Sequence, residues 1–153
     1  MPTGDLTHID HPLLQGLSEE HMRKIAGCAW GDRFEEGEYL FREGEIADRA
    51  YLISAGRLAL ELDGGQRGVI RISTIGAKDV AGFSWIFPPH RWGENGRVVE
   101  PVEATVLDGE ALRKLKSADH DFGYELLLRF SSVMSSRLQS TRLQLLDVYG
   151  DHG

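Results

Sequence analysis

The chain carries one cysteine, Cys28, in 153 residues. A lone thiol forms no internal disulfide and cannot by itself supply a zinc or iron–sulfur site. A reducing, cytoplasmic setting is therefore expected. Basic residues are also scarce: 17 Lys and Arg stand against 24 Asp and Glu, for a formal net charge of −7. A generic nucleic-acid binder carries a basic patch, so neither DNA nor RNA is expected as a partner. No run of 18 apolar residues occurs, which excludes a membrane-spanning helix and a membrane partner of that kind. The first residues lack a basic stretch followed by an apolar one, so no signal peptide is expected. There is no Walker loop or dinucleotide fingerprint, and Ser84 lies in no Gly-x-Ser-x-Gly because position 86 is Ile. Neither an enzyme nor a cofactor is expected.

What is present fits one domain over residues 1–153. Apolar residues make up 41% of the chain, enough for one core, and 18 glycines point to many turns. Residues 1–17 read as an irregular leader. Ser18 can cap a helix over 18–27, with Glu19 and Glu20 on the positive end of its dipole and Gly27 as its stop. From 28 to 108 the pattern changes to short β runs divided by glycines. Leu58, Leu60 and Leu62 alternate with Arg57, Ala59, Glu61 and Asp63, the period-two signature of a half-buried strand whose second set faces solvent. Gly64-Gly65 is a hairpin signal, and Val69–Ile75 is the partner run. Val98, Val102, Ala104 and Val106 alternate again, with Pro101 predicting an edge or a bulge. Many short strands at this spacing predict a sandwich or a roll, not a parallel sheet. Residues 109–149 turn helical: a short helix over Glu110–Lys116, then a long one from Asp121 to about Val148.

One string is specific enough to compare with a family. Glu36-Gly37-Glu38-Tyr39-Leu40-Phe41 leads into Arg42-Glu43-Gly44-Glu45, then Ala50-Tyr51-Leu52-Ile53 and Gly56-Arg57-Leu58. Its two Gly-Glu pairs, each at a strand end, closely resemble the first half of the cyclic-nucleotide-binding domain of the CRP/FNR superfamily. The resemblance implies a mainly β fold with flanking helices. That fold is a double-stranded β-helix, or jelly-roll-like β-roll of eight strands, with an N-terminal helix and a long C-terminal helix. On the residues alone, Gly37, Gly44 and Gly56 permit tight turns, and Tyr39, Phe41, Tyr51 and Ile53 can fill a roll interior.

The resemblance also implies a phosphate-binding cassette: a Gly-Glu pair opening a one-turn helix, with an Arg downstream. Backbone N–H groups and the Arg hold a phosphate, and the Glu accepts a ribose hydroxyl. The matching stretch here is 79–97. Gly82 is in place, residues 83–86 can form the turn, and Pro88 ends it. Phe83 stands where the family has its Glu, followed by Ser84 and Trp85. The family Arg falls within about two residues of Trp92, so Arg91 is the nearest cation and Arg97 the next. Phe83, Trp85 and Trp92 crowd a segment that is small and polar in the family. Two outcomes stay open: a cleft filled by its own side chains, or one shaped for another ligand, such as a small anion at the turn's free N–H groups.

The leading expectation is a sensor or regulatory module in signal transduction, with a degenerate cassette and no DNA-binding domain within these residues. The alternatives are a dimerisation or protein-interaction module that has lost ligand binding, and the sensor part of a transcription regulator. A homodimer is expected through the C-terminal helix, whose apolar residues Phe122, Leu126, Phe130, Val133, Leu138 and Leu145 exceed one face. Leu127, Met134, Thr141 and Val148 widen the stripe; the competing reading has the roll and the leader cover it all. Metal binding by His8 and His11 is not expected, and Cys28 is expected to be a buried, inert thiol.

Overall fold

The computed structural model describes residues 9–150, with side chains described through Asp147. Its elements are α1 (Glu19–Ala26), β1 (Ala29–Phe34), β2 (Tyr39–Phe41), β3 (Arg49–Asp63), β4 (Val69–Gly76), β5 (Val80–Ala81), β6 (Asn95–Asp108), α2 (Gly109–Ala118) and α3 (His120–Gly150). The strands form one antiparallel sheet in the order β1-β6-β3-β4, with β2 added to β6 and β5 to β3. This is the expected mainly β architecture with flanking helices.

The eight strands implied by the resemblance are six here, and β3 runs on through Gly56, where the sequence reading divided it. β3 passes through Gly56 and β6 through Pro101, and the register between them shifts around Ala55–Leu58. Gly56 sits at φ +91°, and a Cβ there would lie 2.0 Å from the Pro101 carbonyl oxygen. Only glycine lets the two backbones pass so closely. Pro101 therefore marks a bulge in a central strand and not an edge.

Period-two alternation splits the sheet's side chains between two cores. Tyr51, Ile53, Leu58, Leu60, Val98, Val102 and Val106 fill the roll with Phe41 and Trp92. Leu52 and Leu107, one residue out of phase, join Leu14, Ile25, Leu112, Phe122, Leu126 and Phe130 beneath the helices. Tyr39 stays outside the roll core, with the Arg42 guanidinium 3.8 Å from its ring centre.

The Ser18 cap forms as expected, its hydroxyl accepting from the His21 N–H at 3.2 Å. The leader is less irregular than expected. Ile9, Leu13 and Leu14 are buried, and Arg129 of α3 donates to the carbonyls of Leu13 and Gln15, each at 2.8 Å. His11 is buried too. Its Nδ1 accepts from the Leu13 N–H at 3.1 Å and its Nε2 lies 3.2 Å from the Asp79 carbonyl. Burial holds the imidazole below its ordinary pKa, which favours this neutral form with the proton on Nε2. Both nitrogens serve the backbone. His8 lies outside the described residues, and no cluster of three or more metal-binding side chains occurs among those described.

α3 runs unbroken past Met134, as expected, but most of its predicted partner face is internal. Phe122, Leu126 and Phe130 are buried in the chain's own core, and Leu127 and Val133 pack against it. Those residues lie on the chain's own helix-side core, Leu127 and Val133 only partly buried. Leu138 and Leu145, each 54% exposed, remain available. The side chain of Val148 lies outside the described residues. Cys28 is half-buried, its thiol donating to the Lys24 carbonyl at 3.4 Å. Burial, with Asp108 nearby, pushes the thiol pKa up, so little thiolate forms.

Candidate functional site

The cassette leaves β5 at Gly82, which adopts φ +108°. A Cβ there would lie 2.9 Å from the Arg49 carbonyl and 3.0 Å from Cη2 of Trp92. The position needs glycine both for its torsion and for its space. The chain then makes the expected single turn, closed by the Ile86 N–H on the Phe83 carbonyl at 3.0 Å.

The three aromatics do not act together. Gly82 turns the chain out of the roll, so Phe83 and Trp85 point into the helix-side core and not into the cleft. Trp85 is fully buried, its Nε1–H donating to the Gly82 carbonyl at 2.9 Å and its ring 5.1 Å from that of Phe130, edge to face. Phe83 is half-buried and meets Phe130 at 6.2 Å. Ser84, between them, is half-buried. Trp92 alone lies on the roll side, stacked on Phe41 with ring centres 4.1 Å apart and planes 15° apart. Its indole covers Gly82 from within.

Neither predicted arginine enters the cleft. Arg91 is exposed, bridges Ile46 on the outside of the roll, and donates to the Gly44 carbonyl at 3.4 Å. Arg97 lies on β6 between Gly96 and Val98. Val98 belongs to the roll core, and a Cβ on Gly96 would strike the Phe41 ring. Alternation therefore sends Arg97 to the outer face, where it grips Glu61 of β3 with two hydrogen bonds at 3.1 and 2.9 Å. Arg71 of β4 adds a cation at 3.9 Å.

Glu61 is a correction in itself. The alternation predicts a solvent-facing residue, yet its side chain is only 3% exposed. The Arg97 hydrogen bonds hold its carboxyl below the usual range, against the opposing pull of burial. A carboxyl depressed on folding adds stability at neutral pH and loses it as acid protonates it. Glu61→Gln is expected to cost about 1–2 kcal/mol at neutral pH. The deficit should shrink as the pH falls below the ordinary carboxylate range. Thermal melts of both proteins across pH check this, and a deficit that persists in acid would remove the ion pair as its cause.

Two arginines that the sequence reading did not single out hold the cassette from behind. Arg113 of α2 donates to the Trp85 carbonyl at 2.8 Å. Arg137 of α3 donates to the Val80 carbonyl at 2.6 Å and lies 5.0 Å above the Phe83 ring. A single Arg on a helix carries no sequence signal of such a role. A cavity of about 1040 Å³ opens elsewhere, between the leader, α1 and β3. No cassette residue lines it.

The family model for the cyclic nucleotide-binding domain matches residues 32–119. The chain belongs to the cyclic nucleotide-binding domain family. It is 32% identical over 117 residues to a CRP-like cAMP-activated global transcriptional regulator of Mycobacterium tuberculosis, covering 75% of this chain and 50% of that protein. The chain thus spans about half the length of this curated relative. A solved cyclic nucleotide-binding domain from Methylobacillus flagellatus superposes with a TM-score of 0.76 at 21% identity, covering 86% of this chain and 74% of that one. The N-terminal domain of a transcriptional regulator from Streptomyces coelicolor gives 0.64 at 21% identity over 94% and 96% of the two chains. At such identities the structures speak for the shared fold. The comparisons join this chain to regulatory proteins, and no helix among the described residues is long and apolar enough to cross a membrane.

Proposed function

We propose that this chain is a cytoplasmic, non-catalytic sensor module in signal transduction whose cassette is degenerate. One observation carries the reading. The cleft side of Gly82 is covered by Trp92, while Arg91 and Arg97 are both engaged outside the cleft. Neither of the two arginines nearest the family position is turned toward Gly82, and Phe83 offers no acceptor to a ribose. The ligand this reading favours is a small anion such as phosphate or sulfate at the turn opened by Gly82. A ligand binding the folded state raises its melting temperature by mass action. A melting panel of inorganic anions and nucleotides tests it; a shift for cyclic AMP or cyclic GMP at micromolar concentration would overturn it. The Trp92 cover over Gly82 also favours the second reading, an interaction module without a ligand, which predicts no shift for any member of the panel.

The same proposal includes a homodimer through α3, on a face that keeps Leu138 and Leu145 of the sequence reading and exchanges its other residues for exposed ones. Tyr124, Leu128, Ser131, Ser135, Leu138, Arg142 and Leu145 recur at alternating steps of four and three, and all are exposed. That is a heptad stripe, the pattern that seats one helix along another. The serines at its centre are small enough for close approach. Leu138→Glu with Leu145→Glu is expected to weaken association by about tenfold or more, since each buried leucine contributes about 1.5–3 kcal/mol. Sedimentation equilibrium checks it; an unchanged dimer, or a wild-type protein that is monomeric at micromolar concentration, removes the stripe as the interface.

A further inference from the structure

The cavity of about 1040 Å³ between the leader, α1 and β3 belongs to no site described above. It stands at the upper end of small-molecule pockets, ~300–1,000 Å³. Its walls are tied in place. His11 joins the leader to the roll through the Asp79 carbonyl at 3.2 Å, and Arg129 joins it to α3 through the Leu13 and Gln15 carbonyls, each at 2.8 Å. A pocket formed in advance needs little ordering when a ligand enters. Four charged side chains line it: Asp10 from the leader, Glu19 and Arg23 from α1, and Lys78 from the turn between β4 and β5. All four are exposed, and none makes an ion pair or a side-chain hydrogen bond with another described residue. Leu17 and Met22 add an apolar wall.

Lys78 sits at φ +74°, a left-handed torsion that glycine adopts freely and lysine does not. The turn fixes it there. The Lys78 N–H donates to the Ile53 carbonyl at 2.9 Å and the Asp79 N–H to the Gly76 carbonyl at 3.0 Å. The Gly76 N–H donates to the Asp79 carboxylate at 2.8 Å. The backbone would be easier with glycine; what lysine adds is a cation on the rim of the cavity. Strain held by its surroundings in this way points to a use for the side chain. We propose that the cavity binds a small zwitterion, an amino acid or a short peptide. Lys78 and Arg23 take its carboxylate, Asp10 and Glu19 take its ammonium, and Leu17 and Met22 receive an apolar side chain. The charges select this class. A plain anion meets Asp10 and Glu19, and a plain cation meets Lys78 and Arg23, so each is repelled by half of the rim. A molecule bearing both charges pairs with all four. No cassette residue lines the cavity, so the site does not depend on what the cleft takes.

Calorimetric titration of the full chain with leucyl-leucine tests the proposal, and saturable one-site binding is expected. N-acetyl-leucyl-leucine and leucyl-leucine amide each lack one of the two charges. Both should bind about three- to tenfold more weakly, the range of one partly exposed charged contact. Free leucine that binds as tightly as leucyl-leucine assigns the site to an amino acid, and weaker binding assigns it to a peptide. Lys78→Gly suits the torsion of the turn, so its melting midpoint should not fall, while its affinity for leucyl-leucine drops about three- to tenfold. Arg23→Gln, at an exposed position of α1, should lower the affinity by a similar factor. An absence of saturable binding at millimolar peptide would overturn the proposal. So would blocked peptides that bind as tightly as the free one, or an affinity unchanged in both Lys78→Gly and Arg23→Gln.

Discussion

Cyclic AMP and cyclic GMP titrated into the protein are expected to show no micromolar binding by calorimetry. In the family the cassette's acid accepts a ribose hydroxyl and its arginine holds the phosphate. Here Phe83 lies against Phe130, Arg91 is outside, and Arg97 is bound to Glu61 at 3.1 and 2.9 Å. A buried hydroxyl left without an acceptor costs about 1–3 kcal/mol, and a lost charged hydrogen bond about 1.5–3 kcal/mol. Together these are roughly 2.5–6 kcal/mol, or about two to four powers of ten in affinity at ~1.4 kcal/mol per tenfold. A site of micromolar quality falls to near-millimolar or weaker. A micromolar dissociation constant for either nucleotide would overturn the degenerate reading and mean that the cassette's acid or arginine is another residue. In that event Arg91→Ala should weaken binding more than Arg97→Ala, because Arg97 faces out of the roll.

Trp85→Ala is expected to be the most damaging single change in the cassette. Trp85 is 0% exposed and is wedged between the turn and Phe130, with its Nε1–H spent on the Gly82 carbonyl. Removing a buried indole costs about 3–5 kcal/mol through lost transfer energy and the cavity left behind. The Gly82 carbonyl also loses its donor. For a domain of this size each kcal/mol moves the midpoint by ~2–4 °C, so thermal unfolding followed by circular dichroism should show a fall of roughly 6–20 °C. A fall of under about 3 °C would mean that the helix layer closes over the gap. Trp85→Phe keeps a ring against Phe130 and should lose much less.

The contrast between these two aromatics shows how far the sequence could be read. Gly37, Gly44 and Gly56 with their spaced acids pointed to the right roll, because turn glycines and alternating strands report local backbone demands. Gly56 was legible as a turn glycine. That it faces Pro101, 45 positions later, was not, since close approach of two strands leaves no local mark. The clustering of Phe83, Trp85 and Trp92 was visible, but not that Gly82 sends two of them to the helices and leaves one in the roll. Periodicity likewise found the face of α3 carrying Phe122, Leu126 and Phe130. It reports a face and not the neighbour that covers it, and here the neighbour is the chain's own core. Glu61 was misread for the reverse reason. Its alternation placed it correctly on the outer face of the sheet, but Arg97 lies over that face and takes it from solvent.

The place of β6 between β1 and β3 sets the order in which the roll can be assembled. β1 pairs only with residues 102–107, and β2 only with 96–97. During synthesis, a nascent chain that ends before Asn95 holds β3, β4 and β5 as a hairpin with a short addition, while β1 and β2 have nothing to pair with. The first two strands wait some sixty residues for their partner, and that partner arrives with a proline in its middle that must fall opposite Gly56. A ribosome has to release β6 through Arg97 before β2 can pair, and through Leu107 before β1 can pair along its whole length. Until then Phe34, Phe41 and Tyr51 lack the β6 face, carrying Val98, Val102 and Val106, that completes their core.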